Sequence, residues 1–250
     1  MQDEKSLRHF QHAMSFIEEV KHINTIEGLV NIFTKYIKPL GFDQFSCASF
    51  CDVKNPPNNA VMILQYPAKW LEHYMEEKYE RFDRILAVSL NRSTPFTWQE
   101  PIIKKNCTKK QKEIFDGAKH VGLIHGITVP VHSHGFHPAC VNVVGPNIDI
   151  DPSAEHALHL MCIYLYEGAV RIQRATPTLN HHRIVSLTNR ERECLQWVAE
   201  GKSESCIADI LNISQRTIHF HIENVKNKYN VSTRTQAVAR ALAEQQIIPQ

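Results

Sequence analysis

A run of aromatic residues followed by a carboxylate offers hydrogen-bond donors and an acceptor beside apolar surface: Tyr66-Pro67-x-x-Trp70-x-x-x-Tyr74, then Asp83, then Pro95-Phe96-x-Trp98. Tyr66, Trp70 and Tyr74 are four apart, so they line one side of a helix and the chain leading into it, with phenol and indole groups projecting together. Asp83 sits between Phe82 and Ile85-Leu86, a setting in which a buried carboxylate demands a donor partner. Such a set suits a small ligand with carbonyls, one amide N–H and an apolar tail. Aromatic residues at helical spacing equally suit a plain core, so the spacing alone leaves pocket and core both open.

A second constellation occupies the last quarter of the chain. Thr188 with Glu191 three residues later forms a capping box that starts a helix at about Asn189, with Cys194, Leu195, Trp197 and Val198 apolar and Gly201 at its exit. Ser203 caps a short second helix whose expected buried side is Ile207, Ile210 and Leu211. After Asn212-Ile213, Ser214 caps a third, in which Ile218, Ile222, Val225 and Tyr229 fall on one stripe. The remaining surface carries Ser214, Arg216, Thr217, His219, Phe220, Glu223, Lys226 and Asn227, a largely donor-rich set that a DNA major groove accepts. Thr233 begins a fourth helix with Ala237, Val238, Ala241 and Leu242 on its packing side. A bland helical bundle would share these caps, but the short turn from Asn212 to Ser214 favours a helix-turn-helix.

The rest of the chain must position the aromatic cluster. Leu7, Phe10, Met14 and Ile17 predict one amphipathic helix, and Ile26, Leu29, Val30, Phe33 and Ile37 another that ends near Pro39-Leu40-Gly41. Phe45 to Val53 and Val61 to Gln65 read as strands around an Asn/Pro-rich turn, with further strands at Ile127 to His132 and Ala139 to Val144. A long helix from Ser153 to Arg174 follows, its broad apolar stripe (Leu160, Met161, Tyr164, Leu165, Gly168, Ala169, Ile172) suited to the core or to a second copy of the chain. The expected architecture is α+β: an α-β-α layered sensor domain with a central antiparallel sheet over residues 1–174, a linker over 175–186, and an all-α four-helix helix-turn-helix domain over 187–250.

Bulk properties narrow the functional classes. The chain has 250 residues and a net charge of +2, and from Pro177 onward nine Lys and Arg face seven Asp and Glu. So small an excess makes a single copy a weak DNA ligand at physiological salt, and two copies on two half-sites are the expected remedy, hence a homodimer on double-stranded DNA. Seven scattered cysteines without a CxxC pair, no signal peptide and no membrane-spanning run predict a cytoplasmic protein with reduced thiols. No GxSxG, P-loop, HExxH or GxGxxG is present, so an enzyme is not expected.

From Leu187 to about Leu242 the chain resembles the LuxR/NarL-type DNA-binding domain, departing at Cys206, where the family commonly has Glu. The aromatic cluster, together with Gly126-Ile-x-x-Pro130, resembles the autoinducer-binding domain of LuxR-type quorum-sensing receptors, which respond to N-acyl-homoserine lactones. That resemblance implies that the Trp70 indole donates to the lactone carbonyl and that Asp83 accepts from the ligand amide. Tyr66 would bond the acyl carbonyl, Tyr74 would pack against the polar end, and Trp98 would wall the lactone. Asn142 falls about where the family places a Ser or Thr that touches the acyl carbonyl, and Gly126 matches a structural glycine. Arg84 stands where the family usually has Pro, and Ile85 carries no hydroxyl, which leaves the acyl chain unspecified.

No cofactor is expected beyond the small-molecule autoinducer. A metal- or other small-molecule-sensing regulator is the alternative, through His132, His134, His137 and Cys140, whose plainer reading is an exposed turn. A phosphorylation-controlled response regulator would open with βα units, whereas this chain opens with helices. Lys109-Lys110-Gln111-Lys112 reads as a solvated loop or helix start, with contact to RNA polymerase or DNA as its other use.

Overall fold

The computed structural model describes residues 2–51, 56–57, 60–132, 138–146, 151–175, 185–244 and 246–248. Described residues up to 175 belong to one compact unit and those from 185 onward to a second. The expected linker falls mostly on 176–184, outside the described residues.

The first unit opens with α1 (Gln2–Lys21) and α2 (Ile26–Ile37), the latter capped by Thr25, whose hydroxyl accepts from the Gly28 N–H. Strands β1 (Gln44–Ser49) and β2 (Met62–Gln65) follow, then α3 (Ala68–Glu76), α4 (Arg84–Ser89), the two-residue β3 (Phe96–Thr97), α5 (Pro101–Lys104) and α6 (Lys109–His120). Strands β4 (His125–Val131) and β5 (Ala139–Gly145) lead into α7 (Pro152–Ala175). The five strands form one antiparallel sheet in the order β2-β1-β5-β4-β3. Helices cover both faces: Phe33 of α2 stacks edge-on against Phe45 of β1 with ring centroids 4.8 Å apart, while Trp70, Trp98 and Ile114 pack on the other side. The α-β-α layering read from the sequence is the layering of the structure.

One expected helix face of this unit differs. Leu7, Phe10 and Met14 do not enter the core of this unit; they are exposed, and α1 instead buries Ala13, Phe16, Ile17 and Val20. The cause is the parallel seat of α1 on α7, fixed at one end by Lys5 with Asp151 and His9 with Ser153, and at the other by Arg171 with the Val20 and Ile23 carbonyls. The run from Lys109 is the helix start rather than the loop of the two forms expected, with Lys109 and Lys112 exposed. Thr108 and Gln111 build a capping box for α6, and Lys110 bonds Glu77 at 2.6 Å beside the Tyr79 ring.

In the second unit, α8 (Asn189–Ala199), α9 (Glu204–Leu211), α10 (Gln215–Tyr229) and α11 (Arg234–Ala243) start at Thr188, Ser203, Ser214 and Thr233, whose hydroxyls each accept a backbone N–H of the first turn. Ile218, Ile222, Val225 and Tyr229 are buried as the period predicts. In α9, Ala208 joins Ile207 inside while Ile210 stays exposed, because the helix is only two turns long and presents a narrow face. Asn212 turns the chain from α9 to α10 in a left-handed conformation (φ 52°), which Asn tolerates better than most side chains. No described helix is long and apolar enough to cross a membrane.

Candidate ligand pocket and nucleic-acid interface

Between the sheet and α3, α4 and α6 lies a cavity of about 380 Å³, a size suited to a small molecule. Tyr66, Trp70, Tyr74, Asp83, Trp98 and Asn142 all line it. Six residues spread over 77 positions of sequence thus meet at one site. The sheet register explains part of this: Phe96, Thr128, Asn142, Ser46 and Leu64 are successive partners across all five strands and form one row facing the cavity. In the next row, Cys140, Ala48 and Met62 continue the lining with apolar atoms and one thiol. Burial pushes the Cys140 thiol up to about 12, so it behaves as an apolar wall rather than a nucleophile.

Two glycines make room for the two indoles. A Cβ on Gly117 of α6 would stand 2.6 Å from the Trp70 ring, and one on Gly126 of β4 would stand 2.3 Å from that of Trp98. The close approach explains the structural glycine at 126; the need for one at 117 was not visible in the sequence. Trp70 meets Tyr74 edge-on, with centroids 5.9 Å apart, and Tyr74 meets Tyr79 at 5.7 Å.

The polar groups are arranged unequally. Asp83 N-caps α4, with Oδ1 accepting the Ile85 N–H at 2.8 Å, while Oδ2 accepts the Tyr74 hydroxyl at 2.8 Å. Burial raises its carboxyl above the usual aspartate range, although those hydrogen bonds pull the other way. Burial likewise pushes the Tyr66 and Tyr74 phenols up, so both are neutral O–H groups. The Trp98 indole is committed to Thr128 Oγ1 at 2.9 Å and Asn142 to Thr128 and Ser46, whereas the Trp70 indole N–H has no partner among the described residues. Asp83 pairs with no cation among them either. Arg84, which replaces the family Pro, turns outward and donates from Nε to the Ile102 carbonyl at 2.6 Å, closing the end of α5.

Sequence reasoning missed Ser46, Thr128 and Ile114, and set Cys140 with the His-rich turn rather than in the pocket. Strand pairing alone brings the first two beside Asn142, and a single sequence does not show register.

On the second unit, α10 presents Ser214, Arg216, His219, Phe220 and Asn227 fully to solvent and Thr217, Glu223 and Lys226 partly so. Phe220 is 60% exposed, unusual for a phenylalanine in a small bundle. His219 reaches Glu204 of α9 at 3.2 Å, and Lys226 pairs with Glu223 at 2.7 Å. Of the turn weighed as an alternative metal site, residues 133–137 lie outside those described; Cys140 accepts from Asn142 inside the pocket, and His132 contacts the Arg92 carbonyl.

Known proteins match both units. The autoinducer binding domain family matches residues 25–169, and the luxR family of bacterial regulatory proteins matches 185–241. The transcriptional activator protein LuxR of Aliivibrio fischeri is 31% identical over 228 residues, covering 90% of each chain. The transcriptional activator protein BjaR1 of Bradyrhizobium diazoefficiens is 28% identical over 237 residues, covering 95% of this chain and 96% of the relative. The crystal structure of SdiA from Escherichia coli shares the fold, with a TM-score of 0.69 at 21% identity over 96% of this chain and 99% of that one. LuxR and BjaR1 are transcriptional activators rather than enzymes, and the chain belongs with them to the LuxR family of quorum-sensing regulators, an autoinducer-binding domain joined to a DNA-binding helix-turn-helix.

Proposed function

We propose that the pocket takes an N-acyl-homoserine lactone and that ligand binding licenses a homodimer, in the cytoplasm, to read an inverted-repeat operator through α10. The observation that carries this reading is the unmatched pair at the polar end of a largely apolar cavity: among the described residues the Trp70 N–H has no acceptor, and the buried Asp83 carboxylate has only neutral donors. A lactone carbonyl would satisfy Trp70 and the ligand amide N–H would satisfy Asp83. Tyr66 would donate to the acyl carbonyl, Tyr74 would hold Asp83 in place, and Trp98 would wall the lactone ring. The acyl tail would lie over Ala48, Met62 and Leu64. Residues 1–174 act as the sensor, 175–186 as linker and 187–250 as the DNA reader.

Ligand bound only by the native sensor adds stability by mass action, about 2.7 kcal/mol at a hundred times its dissociation constant. The dimer reading draws on the exposed face of Leu7, Phe10, Met14, Leu160 and Tyr164, which α1 and α7 share side by side.

Mass spectrometry of protein expressed with a mixture of acyl lactones reads the ligand directly. Retention of none of them, with unaltered melting, would sink the assignment. Trp70→Phe removes the indole N–H and leaves a smaller ring over Gly117, so affinity should drop at least about tenfold. Phe10→Glu should shift liganded protein toward monomer in sedimentation, and an unchanged dimer would place the interface elsewhere.

A further inference from the structure

Thr128, Asn142 and Ser46 stand on β4, β5 and β1 as neighbours in the cavity-facing row, each at most 8% exposed. Buried polar side chains in a sheet are costly unless paired, and here the pairing runs in one direction. The Trp98 indole N–H has no lone pair to offer in the ring plane and donates to Thr128 Oγ1 at 2.9 Å. Thr128 places its own proton on Asn142 Oδ1 at 2.6 Å. That fixes the amide, with its NH2 toward β1, where it donates to Ser46 Oγ at 3.0 Å and to Cys140 Sγ at 3.4 Å. Ser46 in turn donates to the Tyr66 phenolic oxygen at 3.2 Å. The Tyr66 proton is then left without an acceptor among the described residues, at the wall of the cavity that Tyr66 lines.

We infer that Asn142 is a positioning residue: it sets the direction of a hydrogen-bond train from Trp98 to Tyr66 and so holds Tyr66 as a donor, selecting ligands that present a carbonyl oxygen there. This rests on the acyl-lactone reading above. Asn142 acts through Ser46 and Tyr66, since both ends of its amide are already engaged. Thr128 and Ser46 are links of the same train.

The test compares N-octanoyl-homoserine lactone with its thioamide, in which sulfur, a far weaker acceptor, replaces the acyl oxygen. Full-length wild type should prefer the oxygen ligand by about tenfold, one neutral hydrogen bond. Asn142→Asp takes the Ser46 proton for itself, turns Ser46 into an acceptor for Tyr66, and should shrink that preference to below about threefold. Tyr66→Phe should do the same, and the double variant should lose no more than either alone. Asn142→Leu, uncharged and of similar volume, should repeat the result if the added acid prevents folding. A merely structural Asn142 would weaken both ligands alike and leave the oxygen preference intact. That outcome, additive losses in the double variant, or equal wild-type affinity for the two probes would each overturn the inference while leaving the ligand reading standing. Failure of wild type to bind either probe would remove both.

Discussion

Asp83 and Glu191 sit at the starts of helices in the two units, and the surrounding residues treat them in opposite ways. Glu191 belongs to a capping box, bonds the Thr188 N–H at 2.7 Å and meets Lys228 Nζ at 2.6 Å. Burial alone would raise its carboxyl, but the Lys228 ammonium and the cap outweigh that, so it lies below the usual glutamate range. Asp83 has a cap and a tyrosine but no cation partner among the described residues, and burial prevails, raising it. At Glu191 the helix-turn-helix unit therefore satisfies a buried charge internally, although Tyr229 Oη and Glu244 Oε2 of the same unit are buried without a hydrogen-bond partner among the described residues. Among the described residues the sensor unit leaves a buried carboxylate without a cation and an indole donor without an acceptor, both lining a cavity, the condition of a binding site rather than of a core.

The sharpest way to break this contrast is to replace each carboxylate by its amide. Asp83→Asn retains a good N-cap for α4, because Asn accepts the Ile85 N–H about as well as Asp does. The other end of the side chain then offers NH2 to Tyr74, whose hydroxyl can turn to accept it, and to the ligand amide, donor against donor. Acyl-lactone affinity should fall about a hundredfold, the scale of a charged hydrogen bond removed with its partner left unpaired. Isothermal titration reads this directly, and affinity within a few-fold of wild type would show that Asp83 serves the fold alone.

The same contrast governs what the sequence disclosed. Every helix of the reading unit announced itself through a hydroxyl cap and a local period, because a cap acts over three residues and a face over eleven; only the narrow α9 misled, at Ile210. The pocket is assembled by strand register and by glycines under indoles. Asn142 was found by resemblance, yet its partners Thr128 and Ser46 lie 14 and 96 residues away and carry no local signal. The face of α1 was misjudged because the period reveals an apolar stripe without revealing whether this chain or a second copy covers it. A capping box at Thr108 and Gln111 did announce α6, and went unread.

Glu191→Gln is the matched substitution in the other unit. The amide oxygen can still accept the Thr188 N–H, so the helix start survives while the charge opposite Lys228 is lost. Lys228 is partly exposed and regains water, which limits the cost to about 1–2 kcal/mol of the unit's stability. Ligand affinity should not move. Thermal unfolding with and without ligand separates the two, and a large loss of ligand affinity would mean that the units are not electrostatically independent.

The smallest expected effect is also the one in which the two units should diverge in sign. The raised Asp83 carboxyl takes up a proton on folding between the ordinary aspartate range and its own higher value, so the ligand-free sensor gains stability as pH falls through that window. Ligand affinity should decline over the same window, because the amide N–H seeks the carboxylate. The lowered Glu191 carboxyl behaves conversely: its contribution is present above the ordinary glutamate range and is lost as pH falls through its depressed value. Acidification should therefore weaken ligand binding before it weakens the helix-turn-helix. Affinity measured by titration and the unfolding of each unit, followed by hydrogen exchange over the same pH series, would show the order. Asp83→Asn should flatten the first dependence and leave the second untouched. A helix-turn-helix that loosens before ligand affinity falls would mean that the two carboxylates are not held as their partners dictate.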